Sequence, residues 1–167
     1  MVVHLQSATL FAFAGLMTLA ALEDLRRLII PNALTLALCV LWPLYALAHP
    51  TLFDTLGSLG CALAVFLVGA LMFSRGYLGG GDVKLLAVAT LWAGPGGTLP
   101  LLLLTGVLGG MLALFLLMPP VAQLSAMARA KFGFADAAIK DAASTPVPYG
   151  IAIGAAATIV IFLPHFR

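Results

Sequence analysis

Two of the chain's six acidic residues stand where acid–base chemistry would need them. Asp82 closes the run Gly79-Gly80-Gly81-Asp82 and leads into Val83-Lys84-Leu85-Leu86-Ala87. Asp24 ends an earlier apolar stretch, in Glu23-Asp24-Leu25-Arg26-Arg27-Leu28-Ile29-Ile30-Pro31-Asn32. Two facing carboxylates share one proton, because both do not readily ionise at short range. The charged member then activates water as a general base, and the protonated member donates to the carbonyl under attack. A tetrahedral diol forms and the proton passes to the leaving amine. Such a pair titrates as a unit, so base and acid roles belong to it jointly. The chemistry expected is metal-free hydrolysis of a peptide bond, with no cofactor and no covalent intermediate.

The glycines before Asp82 fit beside such a site. They let a backbone approach closely, so an extended peptide could lie along Gly79, Gly80 and Gly81 as an added strand. A phosphate-binding loop is not indicated, because the spacing and the Ser/Thr are missing. Structural readings of the same residues exist: Asp82 with Lys84 as an interfacial charge pair, and Asp24 with Arg26 and Arg27 as a topogenic loop. Pro148, Tyr149 and Gly150, in Pro146-Val147-Pro148-Tyr149-Gly150, read as the start of a last helix that comes close to its neighbours. Cys39 and Cys61 are isolated packing residues with no metal-binding or redox spacing. Trp42, Trp92, Tyr45 and Tyr149 suit interfacial anchoring.

The elements that must position these groups follow from composition. The 167 residues are 63% hydrophobic and 8% charged, against about a quarter charged in a soluble domain. The net charge of +2 rests on few groups and does not point to nucleic acid. Apolar segments at 5–22, 29–48, 55–73, 83–94, 98–120 and 147–164 predict an all-α polytopic membrane protein of six transmembrane helices. The first is read as a retained span, because no basic region precedes it. Gly69, Gly106, Gly109, Gly110 and Gly154 would let the helices pack closely. With six spans, seven of the eight basic residues fall in the first, third and fifth loops. The positive-inside rule places those loops in the cytoplasm, with both termini periplasmic. Asp24 and Asp82 then lie at the same cytoplasmic face. Residues 121–146 form the longest polar stretch, expected as an interfacial helix or loop.

Together these features resemble the type IV prepilin peptidase family, the GxGD membrane aspartic proteases, and within it the short CpaA/TadV-like branch. Gly79-Gly80-Gly81-Asp82 matches the GxGD motif. Asp24, with Arg27 and Ile30-Pro31-Asn32, resembles the first catalytic-aspartate motif, and Pro148-Tyr149-Gly150 the late one. The resemblance implies that Asp24 and Asp82 are catalytic, that Gly79, Gly80, Gly81, Lys84, Pro148, Tyr149 and Gly150 shape the site, and that the fold is that of a GxGD protease. It implies cleavage of the leader of Flp-type prepilins or pseudopilins at the cytoplasmic face of a bacterial inner membrane. The pilin's hydrophobic helix would stay in the bilayer, and the pilus assembly machinery is a further expected partner. The cysteine pairs of longer, methylating members are absent, so one membrane-embedded peptidase domain over 1–167 is expected, without a methyltransferase domain. Archaeal-type preflagellin peptidases share the two-aspartate plan. From another class, a non-catalytic six-span transporter or secretion assembly factor fits the same composition.

Overall fold

The computed structural model describes residues 2–47, 52–118 and 147–163. These residues form five helices: α1 (Val2–Arg27), α2 (Asn32–Leu47), α3 (Leu52–Ser74), α4 (Gly80–Leu117) and α5 (Tyr149–Phe162). Among them Ser7–Arg27, Asp54–Ser74 and Gly80–Leu117 are long and apolar enough to cross a membrane; α2 and α5 are shorter apolar helices. The protein is therefore an all-α, multi-spanning membrane protein, and the expected six-span GxGD fold is corrected.

The physical reason for the correction lies in two places. The segments expected at 83–94 and 98–120 form the two helical arms of α4, which join directly at Gly94, whose φ of 69° and ψ of −177° leave the helical region. Glycine alone occupies that region readily, and proline is at home in the first turn of the arm that follows. Gly94-Pro95-Gly96-Gly97 thus makes a kink where a loop was expected. In addition, α2 has 16 residues with Pro43 inside it, and α5 has 14, both short of the roughly 20 that span a bilayer. The expected interfacial element at 121–146 lies outside the described residues.

α4 is the spine. It packs against α3, α5 and α2, while α1 packs against α2 and α5. Phe13 and Met17 of α1, Leu38 of α2, Leu85 and Leu101 of α4 and Ile153 of α5 are wholly buried between them. Outward positions such as Phe11, Val40, Leu63 and Leu114 are exposed hydrophobics, as a lipid-facing surface requires. Trp92 corrects an expectation: it is 2% exposed and sits in the core, not at an interface. Its ring lies 4.7 Å from Phe13 and 5.0 Å from Tyr45. Its indole N–H donates to the Leu38 carbonyl at 3.1 Å, which satisfies the one polar group that burial would leave costly. Close packing through small residues holds in part. Gly154 lies against the Met17 carbonyl, Gly109 against the Tyr149 ring and Gly69 against Val83, whereas Gly106 and Gly110 face open space.

Candidate active site

Asp24 is placed by the way α1 ends. Arg26 and Arg27 occupy the last turn, where positive charge suits the helix dipole. Leu28 then takes a left-handed φ of 54°, while its N–H still donates to the Asp24 carbonyl at 2.8 Å. The chain runs through Ile29 and Ile30 to Pro31 before α2 begins. On the last turn of α1 the Asp24 side chain points inward and is 5% exposed. Its Oδ2 accepts the backbone N–H of Gly150 at 2.6 Å. Gly150 is in the first turn of α5, where N–H groups lack an intrahelical acceptor and favour a negative partner. Pro148 caps that helix.

Asp82 is placed by the turn between α3 and α4. Gly76 has a φ of 78°, and its N–H donates to the Phe73 carbonyl at 2.9 Å, while the Tyr77 N–H reaches Met72 at 3.0 Å. This pair of bonds is the Schellman pattern that ends a helix at a left-handed glycine. Gly79 is then the extended N-cap of α4, with ψ 142°. The Asp82 carboxylate reaches back to accept the Gly79 backbone N–H, in the manner of a capping box.

The glycine run is therefore not an extended edge. Gly80 and Gly81 are already helical, which corrects the expected strand-like docking surface. Each glycine answers to a neighbour. A Cβ at Gly79 would come within 2.7 Å of Asp82 Oδ2, one at Gly80 within 3.3 Å of the Phe73 ring, and one at Gly81 within 3.2 Å of Ile30 Cβ.

The two acids meet in one cavity of about 230 Å³. Leu28, Ile29 and Ile30 form one wall, the Gly79–Gly81 turn another, and Asn32 and Lys84 stand at its edge. The two carboxylates interact electrostatically across it. The Lys84 amine donates to Asn32 Oδ1 at 3.0 Å, so it ties the start of α4 to the start of α2. Glu23 pairs with Arg27 on its own helix at 3.4 Å, an exposed contact worth little. Among the described residues no group of three His, Cys, Asp or Glu side chains gathers to hold a metal ion.

Of the residues singled out in the sequence, Asp24, Asp82, Gly79, Gly80, Gly81 and Lys84 all line this cavity. Gly150 touches Asp24 from behind. Pro148 and Tyr149 act at one remove: Pro148 caps α5, and the Tyr149 ring lies against Gly109 of α4. Sequence reasoning missed the wall of Leu28, Ile29 and Ile30. The signal that could have found it was Pro31, which keeps the preceding residue out of helix and so makes room for a non-helical wall. A larger cavity, about 980 Å³ between the second arm of α4 and α5, has no carboxylate in its lining.

The fold and this cavity define a multi-spanning membrane protein with a pair of carboxylates gathered at one end of its helices. Residues 11–114 match the type IV leader peptidase family, and the chain belongs to it. The matched region carries both aspartates and leaves α5, with Pro148-Tyr149-Gly150, outside it. Comparison with curated proteins gives no match, and comparison with solved structures gives none either. The protein is a membrane-embedded peptidase of the kind that removes prepilin-type leader peptides. The non-catalytic transporter or assembly-factor reading falls with that assignment.

Proposed function

We propose that Asp24 and Asp82 are the catalytic pair of an aspartic endopeptidase that cuts the leader from Flp-type prepilins or pseudopilins at the cytoplasmic membrane face. The observation that carries this reading is the shared cavity: two acids far apart in sequence line one small space. One carboxylate takes a proton from water as the water oxygen attacks the scissile carbonyl. The other, protonated, donates to the carbonyl oxygen, giving a diol. Collapse of the diol breaks the C–N bond, and the amine leaves with the proton. The first amides of α4, those of Gly80 and Gly81, have no intrahelical acceptor and are available to substrate carbonyls.

Arg26, Arg27 and Lys84 stand near the cavity end of α1 and α4, which supports a cytoplasmic site by the positive-inside rule. The six-span count no longer supports the placement of the termini. Another contact does: Phe11 meets Phe162 with ring centroids 6.3 Å apart, so the early part of α1 and the end of α5 lie together, away from Asp24. With the carboxylate end taken as cytoplasmic, that pairing supports a periplasmic position for both ends. Through Gly150, α5 belongs to the same working unit as the family-matched region, in keeping with a single peptidase domain.

The test is leader cleavage of a Flp-type prepilin in membranes by wild type, Asp24→Asn and Asp82→Asn at matched expression. Cleavage by wild type alone is expected. Equal cleavage by all three proteins would reject the pair.

A further inference from the structure

A second cavity opens beside the catalytic one, and Asn32 and Lys84 line both. From those two residues the second cavity, about 480 Å³, passes Leu36 and Cys39 on α2, Phe66 on α3 and Val88 on α4. α2 and α3 each pack on α4 but make no substantial contact with one another. The cavity is the gap between them, with α4 as its floor. Leu36 is 64% exposed and Phe66 41% exposed, so the gap opens sideways to the surface that meets lipid.

We propose that this groove receives the apolar segment that follows the scissile bond, so that substrate enters laterally between α2 and α3. The proposal rests on the peptidase reading above and names the route by which substrate reaches that site. Three observations carry it. First, the groove adjoins the cavity that holds both acids across the Asn32–Lys84 pair, whereas the larger cavity near Tyr45 and Trp92 shares no lining residue with it. Second, polarity changes along the path from carboxylates, through Asn32 and Lys84, to apolar side chains. A peptide with a polar cleavage region and an apolar continuation matches that order. Third, Ala33, Thr35, Cys39 and Ala87 are small residues along the groove, which lets a helix approach closely. The Thr35 hydroxyl is already committed to the Asn32 carbonyl at 2.9 Å, so the path carries no unmet hydroxyl donor from it. A segment at this depth satisfies its own backbone only as a helix.

The register follows from helix rise. Cys39 lies two turns beyond Asn32 on α2, or about 10 Å at 1.5 Å per residue. A helical substrate residue about seven positions after the cleaved bond therefore lies beside Cys39.

Cys39 supplies the test. Cys61→Ser leaves Cys39 as the sole cysteine, since the chain has two. The probe is a synthetic peptide with a basic leader, a glycine at the junction and an apolar helix carrying one cysteine, moved residue by residue. It is oxidised with the enzyme in membranes, in the Cys61→Ser background and with Asp82→Asn added to prevent turnover. Disulfide yield should peak about seven residues after the junction and recur with the helical period, at least about fivefold above leader positions. Cys39→Trp, which fills the groove, should raise KM for the probe about tenfold; Val40→Trp, on the lipid-facing side of the same helix, should not. A yield that is flat along the probe, as random collision in a lipid-filled groove would give, overturns the proposal, as does an absence of cross-links. Cleavage is scored separately in wild type. Periodic cross-linking without wild-type cleavage would uphold the groove and remove the catalytic reading, and cleavage without cross-linking would do the reverse.

Discussion

The backbone nitrogen of Gly150 lies 2.6 Å from Asp24 Oδ2, joining the first turn of α5 to the last turn of α1. The contact leaves no room: a Cβ on Gly150 would come within 2.8 Å of both Asp24 Cβ and Oδ2. α5 thus sets the position of the Asp24 carboxylate although it lies outside the family-matched region. Gly150→Ala should push that carboxylate away from the cavity. A displacement of about 1 Å at a reacting group costs on the order of a hundredfold in rate. The expected outcome is a fall of that size in kcat, with little change in KM. Gly60→Ala, which meets nothing within 4 Å, is the control and should cleave as wild type does.

A second close approach sets the other side of the cavity. Gly81 opens α4 against Ile30, with only 3.2 Å between the Ile30 Cβ and a Cβ placed at position 81. Ile30 is buried, so it cannot simply swing away. Gly81→Ala should cost about 1–3 kcal/mol of stability by overpacking and should lower cleavage by moving Asp82. Ile30→Ala removes atoms from the same contact, so the double variant should lose less than the sum of the two single variants. A coupling above about 0.5 kcal/mol in denaturation of the purified protein marks the contact; strict additivity would mean that the two residues act apart.

Asp24, Asp82 and the glycines were legible in the sequence because chemistry-bearing residues stand out in so apolar a chain. Why each glycine is needed was not legible. Gly79, Gly80 and Gly81 answer to Asp82, Phe73 and Ile30 respectively, and the last two of those meetings depend on tertiary placement. The kink at Gly94 was misread for a related reason. Gly-Pro-Gly-Gly favours a loop by local propensity, yet one glycine in a non-helical conformation followed by proline suffices to join two helical arms directly. Trp92 was assigned to an interface on residue type, which carries no sign that the Leu38 carbonyl lies within reach of its N–H. For Gly81 and Trp92 the missing information was a partner distant in sequence.

Lys84 lines the cavity that holds both acids, but its amine is engaged with Asn32 Oδ1 at 3.0 Å. The role expected from that bond is a tether between α2 and α4, not a proton carrier. Lys84→Met should reduce kcat/KM by less than about tenfold, whereas loss of a general acid or base costs about 10²–10⁴-fold. Asn32→Ala should give the same modest effect, and the double variant should add nothing to either. A loss with Lys84→Met as deep as that with Asp82→Asn would move the lysine into the chemistry.

Gly94 separates stability from catalysis. Its φ of 69° with ψ of −177° belongs to a region that side chains other than hydrogen enter at a cost of about 1–3 kcal/mol. A Cβ there would also meet Ser58 Oγ at 3.3 Å. Gly94→Ala should therefore lower the unfolding midpoint of the purified protein in detergent. Asp82 lies at the far end of the same arm of α4, held by its own N-cap contact with Gly79. Leader cleavage per folded molecule should accordingly stay near the wild-type value. The informative comparison is Pro95→Ala. Proline in the first turn of the second arm forfeits no helical hydrogen bond, but its ring packs on Gly57 of α3, so its removal should lower the midpoint less than Gly94→Ala does and leave cleavage nearly unchanged. If Gly94→Ala instead left stability intact and abolished cleavage, the bend in α4 would itself be aligning Asp82 with Asp24.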